Sequence, residues 1–120
     1  MADAGILISW GSTARGREHQ ASEVLQASLQ YWQRLKDSGA IEDFRAHFTT
    51  TGNASQLAGF VLIEGERFKL TAARSSEEWS RLMLESGLVV DNLTETTTIT
   101  GAAFMQALQT FEDVSASLRS

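Results

Sequence analysis

The chain of 120 residues contains neither cysteine nor proline. Without cysteine, it cannot form disulfides, thiolate zinc sites or iron–sulfur clusters, and it has no cysteine nucleophile. Without proline, the turns rely on nine glycines and on Asn and Ser. No apolar run approaches the roughly 18 residues of a membrane span, and no basic leader precedes the first one. We therefore expect no membrane partner and a cytoplasmic location.

Positive charge is also scarce, with 10 basic against 15 acidic residues and a net charge of -5. The basic residues are scattered among acids, so no patch is available to bind a phosphate backbone. We expect no nucleic-acid partner. The hydrophobic content of 42% is that of an ordinary folded domain. At this length the sequence predicts a single domain over residues 1–120, with its core at about 5–115.

Two segments, 5–10 and 57–63, are apolar at both odd and even positions. A β-strand with this pattern must be covered on both of its faces. One chain of this size has enough helices for one face only. The pattern therefore predicts a homodimer through the sheet face, in which a second copy covers the other side.

The periodicities of the remaining segments predict further helices and strands. Apolar residues from Ala21 to Leu35 recur every three or four positions, which indicates a long helix that ends at Ser38 before Gly39. We predict strands at 41–49, 57–64 and 89–100, while 67–74 fits either a helix or a strand. Ser75 and Glu78 have the spacing of a capping box for a helix that Gly87 closes.

A last helix follows Gly101, with an apolar stripe on one face. The element order is therefore β-α-β-β-α-β plus a C-terminal helix. This order is typical of an α+β, ferredoxin-like fold with an antiparallel sheet, whose first and third strands are central. The stripe of the last helix consists of Phe104, Ala107, Leu108, Phe111, Val114 and Leu118.

The long first helix, the short second one and the added final helix resemble the dimeric α/β-barrel superfamily over about residues 5–115. Within it, the strand, glycine turn and Gly-terminated helix of residues 6–39 look like the small, uncharacterised YCII-type members. The resemblance implies two ferredoxin-like protomers packed sheet against sheet, with a C-terminal element that reaches toward the partner. It transfers no catalytic residues, because neither His19 nor His47 occupies a matching position.

The best catalytic candidates are Arg45 and His47, which share the polar side of the second strand with Asp43. His47 could act as a general base, and Arg45 could stabilise an oxyanion. A hydrated edge or a set of dimer contacts is the alternative. For ligand binding we name Trp10, Arg45, His47 and Phe60.

The large aromatic side chains either line a pocket for a flat apolar ligand or simply fill the core. This set comprises Trp10, Tyr31, Trp32, Phe60 and Trp79.

Two further motifs were considered as binding sites, for an anion and for a metal ion. The loop from Gly11 to Gly16 could hold an anion at a helix start, but Glu18 opposes one, and a plain turn is the alternative. His19 and Glu23 share a helix face but lack a third ligand, so we expect no metal and no cofactor.

The sequence thus favours a small homodimeric α/β-barrel protein that binds a ligand, or is non-enzymatic, with a pocket between sheet and helices. The alternative is a cofactor-independent monooxygenase or isomerase acting on a small aromatic substrate.

Overall fold

The computed structural model describes residues 1–119. The described residues form four strands and four helices, and none of these helices is long and apolar enough to cross a membrane. The elements are β1 (Ala4–Trp10), α1 (Glu18–Ser38), β2 (Asp43–Phe48), β3 (Gly59–Gly65), α2 (Arg67–Arg74), α3 (Glu77–Val89), β4 (Thr94–Ile99) and α4 (Gly101–Arg119).

The sheet has the strand order β2-β3-β1-β4, and every neighbouring pair is antiparallel. Ile6 lies opposite Ile63 in the central pair of strands. The predicted ferredoxin-like fold is therefore confirmed, with β1 and β3 at the centre and β2 and β4 at the edges.

The two faces of the central strands have different surroundings. On the inner face, which packs against the helices, Ile6 and Ile8 are 2% exposed and Val61 and Ile63 are 0% exposed. Burying such a side chain stabilises the fold by about 1.5–3 kcal/mol. On the outer face Leu7, Phe60 and Leu62 are only half-buried.

The connection between β3 and β4 contains two helices where the sequence pattern predicted one. Residues 67–74 form α2, which settles the choice between helix and strand. The helix α3 begins one residue later than predicted, because Ser75 completes α2 and Ser76 caps α3 by accepting a hydrogen bond from the Trp79 N–H at 3.2 Å. The predicted stop at Gly87 is wrong, since α3 continues to Val89.

Helix α1 ends as predicted, with Gly39 in the left-handed conformation (φ 82°) that glycine adopts without strain. The last strand is shorter than predicted, because α3 extends to Val89 and residues 91–92 form a bend before β4 begins at Thr94.

Helix α4 contributes none of the buried residues. Its predicted stripe exists but is exposed, with Phe104 at 50%, Phe111 at 69% and Leu118 at 82%. The described chain measures 59 × 35 × 23 Å, and its radius of gyration of 16.9 Å exceeds the roughly 14 Å of a compact domain of this length. The molecule is therefore a compact α/β body with an extended, apolar C-terminal arm.

Candidate functional site

A cavity of about 270 Å³ lies between the inner face of the sheet and the helices α1 and α3. A cavity of 150 Å³ lined by apolar side chains can already accept benzene. Its exposed lining residues, which mark its rim, include Glu18, Ser22 and Phe48. The remaining lining residues are Ile8, Trp10, Thr13, Ala21, Val24, Leu25, Ser28, Trp32, Met83, Ser86, Val89, Val90 and Leu93.

Small side chains on the helices leave this space open. Ala21 and Ser28 lie two turns apart on α1, and Ser86 faces them from α3. The Ser28 Oγ donates a 2.7 Å hydrogen bond to the Val24 carbonyl, and the Ser86 Oγ donates a 2.8 Å bond to the Leu82 carbonyl. These hydroxyls are satisfied within their own helices, so the cavity does not need water to pair them.

Trp32 lines the cavity and has an unpaired polar atom. The residue is 4% exposed, and its indole Nε1–H is buried with no hydrogen-bond partner among the described residues. Leaving a buried donor unpaired costs about 1–3 kcal/mol. By contrast, the Nε1–H of the equally buried Trp79 donates to Glu95 Oε2 at 3.3 Å.

Trp10 closes the sheet side of the cavity, where it packs over Gly59 in the neighbouring strand. A Cβ atom at position 59 would lie 2.5 Å from Trp10 Cζ2, which is closer than real contacts allow. Glycine at this position therefore leaves room for the Trp10 ring.

The other predicted site residues lie on the outer face. The His47 ring stacks on Phe60 with a centroid separation of 4.8 Å and an interplanar angle of 16°. The Arg45 Nε lies 3.8 Å from Asp43 Oδ2, with 78% of the Arg45 side chain exposed. The structure thus brings Arg45, His47 and Phe60 together and separates them from Trp10 by the thickness of the sheet.

Asp43 lies on the outer face beside Arg45 and carries a negative charge. The hydrogen bond from Lys36 Nζ, at 3.0 Å from Asp43 Oδ1, and a bond from the Phe44 backbone N–H lower the pKa of Asp43 below its ordinary 3.8. The group therefore presents ionised Asp43 and Arg45 beside the His47–Phe60 stack.

The remaining predicted aromatics divide between the cavity and the core. Trp32 lines the cavity, whereas Tyr31 and Trp79 pack edge to face in the hydrophobic core, with centroids 6.3 Å apart. Sequence reasoning missed the small residues Ser28 and Ser86. The available signal was a serine at an inward position of the α1 stripe, four residues before Trp32.

The Gly11–Gly16 loop uses its donors within the chain. The Gly11 and Ala14 N–H groups donate to the carbonyls of Asp91 and Val89, each at 2.7 Å, and the Gly16 N–H points to Glu18 Oε1 at 3.4 Å. The neighbouring Arg17 Nη1 donates to the Leu88 carbonyl at 2.9 Å. Over residues 1–119, no three acidic or histidine side chains come close enough together to hold a metal ion.

Comparison with known proteins identifies the fold. No protein-family model matches the chain, and no curated protein matches it. Three solved structures illustrate the similarity. A dimeric ferredoxin-like protein of unknown function from Jannaschia sp. CCS1 is 10% identical, with a TM-score of 0.61 over 82% of this chain and 98% of that one.

The second is an antibiotic biosynthesis monooxygenase, 14% identical, with a TM-score of 0.58 over 85% of this chain and 98% of that one. The third is SnoaB, a cofactor-independent oxygenase from Streptomyces nogalater, 12% identical, with a TM-score of 0.50 over 84% of this chain and 94% of that one. At these identities the similarity establishes the ferredoxin-like fold. The YCII-type resemblance stays a prediction.

Proposed function

We propose that the protein is a homodimer that binds a small apolar molecule in the cavity between its sheet and helices. The observation that carries this proposal is the 270 Å³ cavity, which is lined mainly by apolar side chains. Ligand sites in proteins are typically concave and apolar, with a few polar groups that orient the ligand.

Two surfaces support the homodimer. The half-buried Leu7, Phe60 and Leu62 on the outer face form an apolar strip that a second sheet can cover. The arm α4 presents a further exposed stripe that includes Phe104 and Phe111. The solved relative from Jannaschia is itself dimeric. We propose the sheet face as the interface, with α4 reaching over the second copy.

Binding is tested by blocking the cavity. Ala21 lines the cavity and is half-buried, so Ala21→Phe places a ring in the space where the ligand lies. The matched control is Ala27→Phe, since Ala27 is exposed on the same helix away from the cavity. The probes are the bicyclic hydrocarbon tetralin and its ketone 1-tetralone, titrated by calorimetry.

We expect the wild type and Ala27→Phe to bind at least one probe, and Ala21→Phe to bind neither. Equal binding by both variants would place the probe elsewhere and remove the cavity as the site. Absence of binding by the wild type would refute the ligand-binding function itself.

The second candidate is a cofactor-independent monooxygenase or isomerase acting on a small aromatic substrate. Similarity to an antibiotic biosynthesis monooxygenase and to a cofactor-independent oxygenase favours it. Arg45 and His47 stay its proposed catalytic residues, and in a sheet-to-sheet dimer they would face the space between the sheets. They do not line the cavity.

The enzymatic alternative is tested with 1-naphthol in air. Conversion to 1,4-naphthoquinone consumes one O₂, places one oxygen atom in the product and releases the other as water. The substrate supplies the electrons, so no cofactor is needed. An oxygen electrode should record uptake that His47→Gln abolishes. Uptake no faster than in protein-free buffer would reject this activity for the naphthol class.

A further inference from the structure

Helix α4 carries apolar residues in a regular repeat. Steps of three and four residues alternate along it, and a stripe with this spacing runs down one side of a helix as the seam by which two helices pack together. In residues 1–119 this seam is left uncovered, since α4 contributes none of the buried residues and Phe111 is 69% exposed. The α4 seam consists of Phe104, Ala107, Phe111, Val114 and Leu118.

The positions on both sides of the α4 seam carry no charge. In a helix pair these positions meet the flank of the partner helix, where like charges repel and charged pairs select the partner. The charged residues Glu112, Asp113 and Arg119 fall at other positions of the repeat, away from the seam. A second copy of α4 therefore meets no like charge along the seam, although the chain has a net charge of -5. The flanking residues are Leu108, Thr110, Ser115 and Ser117.

A lipid surface fits the same helix less well. A helix that lies on a membrane carries Lys and Arg on its polar face, which attract anionic lipids. The polar face of α4 has the two acids Glu112 and Asp113 and a single basic residue, Arg119, in its last turn. The charges therefore favour another protein helix over a lipid surface.

The place of α4 in the fold favours the second copy of this chain as the source of that helix. Helix α4 begins one residue after β4, an edge strand of the sheet whose outer face forms the proposed interface. Its 19 residues span about 28 Å. We propose that the two α4 helices of the homodimer pack against each other along their seams. This inference rests on the proposed homodimer and specifies what α4 contacts in the second copy.

A distance measurement tests the pairing directly. Because the chain contains no cysteine, Gln109→Cys provides a single site for a nitroxide label. Gln109 is exposed, near the middle of α4 and on the side opposite the seam. The axes of packed helices lie roughly 8–10 Å apart, so electron–electron double resonance on the labelled full-length homodimer should give a label separation of about 30 Å or less. The separation is short whether the helices run parallel or antiparallel.

A charge on the seam tests whether the pairing stabilises the dimer. Phe111→Asp should raise the dimer dissociation constant at least about tenfold in sedimentation experiments, because it places two carboxylates between the helices. Since α4 contributes none of the buried residues, the thermal unfolding of each chain should persist. Gln109→Asp is the matched control, with the same charge on the opposite side of α4, and should change the constant by no more than about twofold.

The possible failures are distinguishable. A label separation well beyond the expected range, or equal dissociation constants for Phe111→Asp and Gln109→Asp, would overturn the helix pairing and leave the homodimer in place. A wild-type tetramer that Phe111→Asp splits into dimers would overturn the assignment of the pairing to one dimer. A wild-type protein that sediments as a single chain would refute the proposed homodimer, and the inference would fail with it.

Discussion

The two faces of the sheet carry similar apolar side chains at their centre, yet they differ in what lies over them. Val61 on the inner face is fully buried under the helices, whereas its neighbour Leu62 on the outer face is half-buried. The inner face also contains the cavity. A strand that is apolar on both faces needs other side chains packed over both of them. In this chain the helices cover the inner face only.

The largest effect should come from placing a charge on each face in turn. Val61→Asp buries an unpaired carboxylate under the helices, which we expect to cost about 4 kcal/mol or more and to unfold much of the protein. Leu62→Asp places the same group on the outer face beside Arg45, its partner in the β2–β3 register, and should leave the fold intact. Circular dichroism with thermal unfolding measures both.

If both variants unfold, the outer face tolerates a charge no better than the inner face. The contrast between the two faces would then be lost.

The second effect concerns association. In the proposed dimer Leu62→Asp places two carboxylates, one from each copy, in a desolvated interface. We expect the dimer dissociation constant to rise at least about 100-fold, equivalent to roughly 3 kcal/mol. Sedimentation velocity measures this change. Leu84→Asp is the matched control, because Leu84 is 73% exposed on α3, away from the sheet.

Equal masses for the wild type and Leu62→Asp would mean that the outer face is not the interface. The exposed stripe of α4 would then be the next surface to substitute.

Sequence patterns predicted the topology but not this contrast. Because Leu62 and Val61 are equally apolar, periodicity alone cannot say which of them faces the helices. The register settles this question, since Val61 shares its side with Ile8 and with the helix residues around Trp32. The same limit explains why Trp10 and Phe60 were predicted to form one site although they lie on opposite faces.

The first helix of the β3–β4 connection, α2, was left open between helix and strand for a local reason. Residues 67–74 have only two buried positions, Leu70 and Ala73, so their period is too short to distinguish a helix from a strand. The cavity was predicted in outline, between sheet and helices. The residues that line the cavity could not be predicted, because the size of a cavity depends on how side chains from two helices, such as Ser28 and Ser86, are placed in space.

The third effect compares the empty and the filled part of the inner layer. Ser28→Met directs a flexible apolar side chain into the cavity, which should stabilise the fold by about 1 kcal/mol. Val61→Met introduces the same side chain where Val61 is 0% exposed under the helices, and should destabilise by about 1–3 kcal/mol.

Urea denaturation of both variants measures the difference. Destabilisation of similar size at the two positions would show that the cavity collapses in solution.

The smallest expected effect is on stability in acid, and it comes from the exposed charges of the outer face. Hydrogen bonds from Lys36 and from the Phe44 N–H lower the pKa of Asp43 below 3.8, so the folded state binds this proton more weakly than the unfolded chain. The stabilisation is present above 3.8 and is lost as the pH falls through the lowered pKa. In Lys36→Met the acid loss of stability should become shallower below about pH 4.

Acid titration of the unfolding midpoint follows this loss, and Lys69→Met is the control, since Lys69 pairs with Glu66 away from Asp43. An identical acid profile in Lys36→Met would remove Lys36 as the main cause of the shift.

Native mass spectrometry of the wild type and of Leu62→Asp, each with 1-tetralone, tests both faces at once. We predict a wild-type dimer with one ligand per chain, and a Leu62→Asp single chain that still holds one ligand, because the inner cavity is complete within each copy. Two results would contradict this assignment of interface and binding site. One is a wild-type protein detected as a single chain, and the other is a Leu62→Asp chain that has lost its ligand.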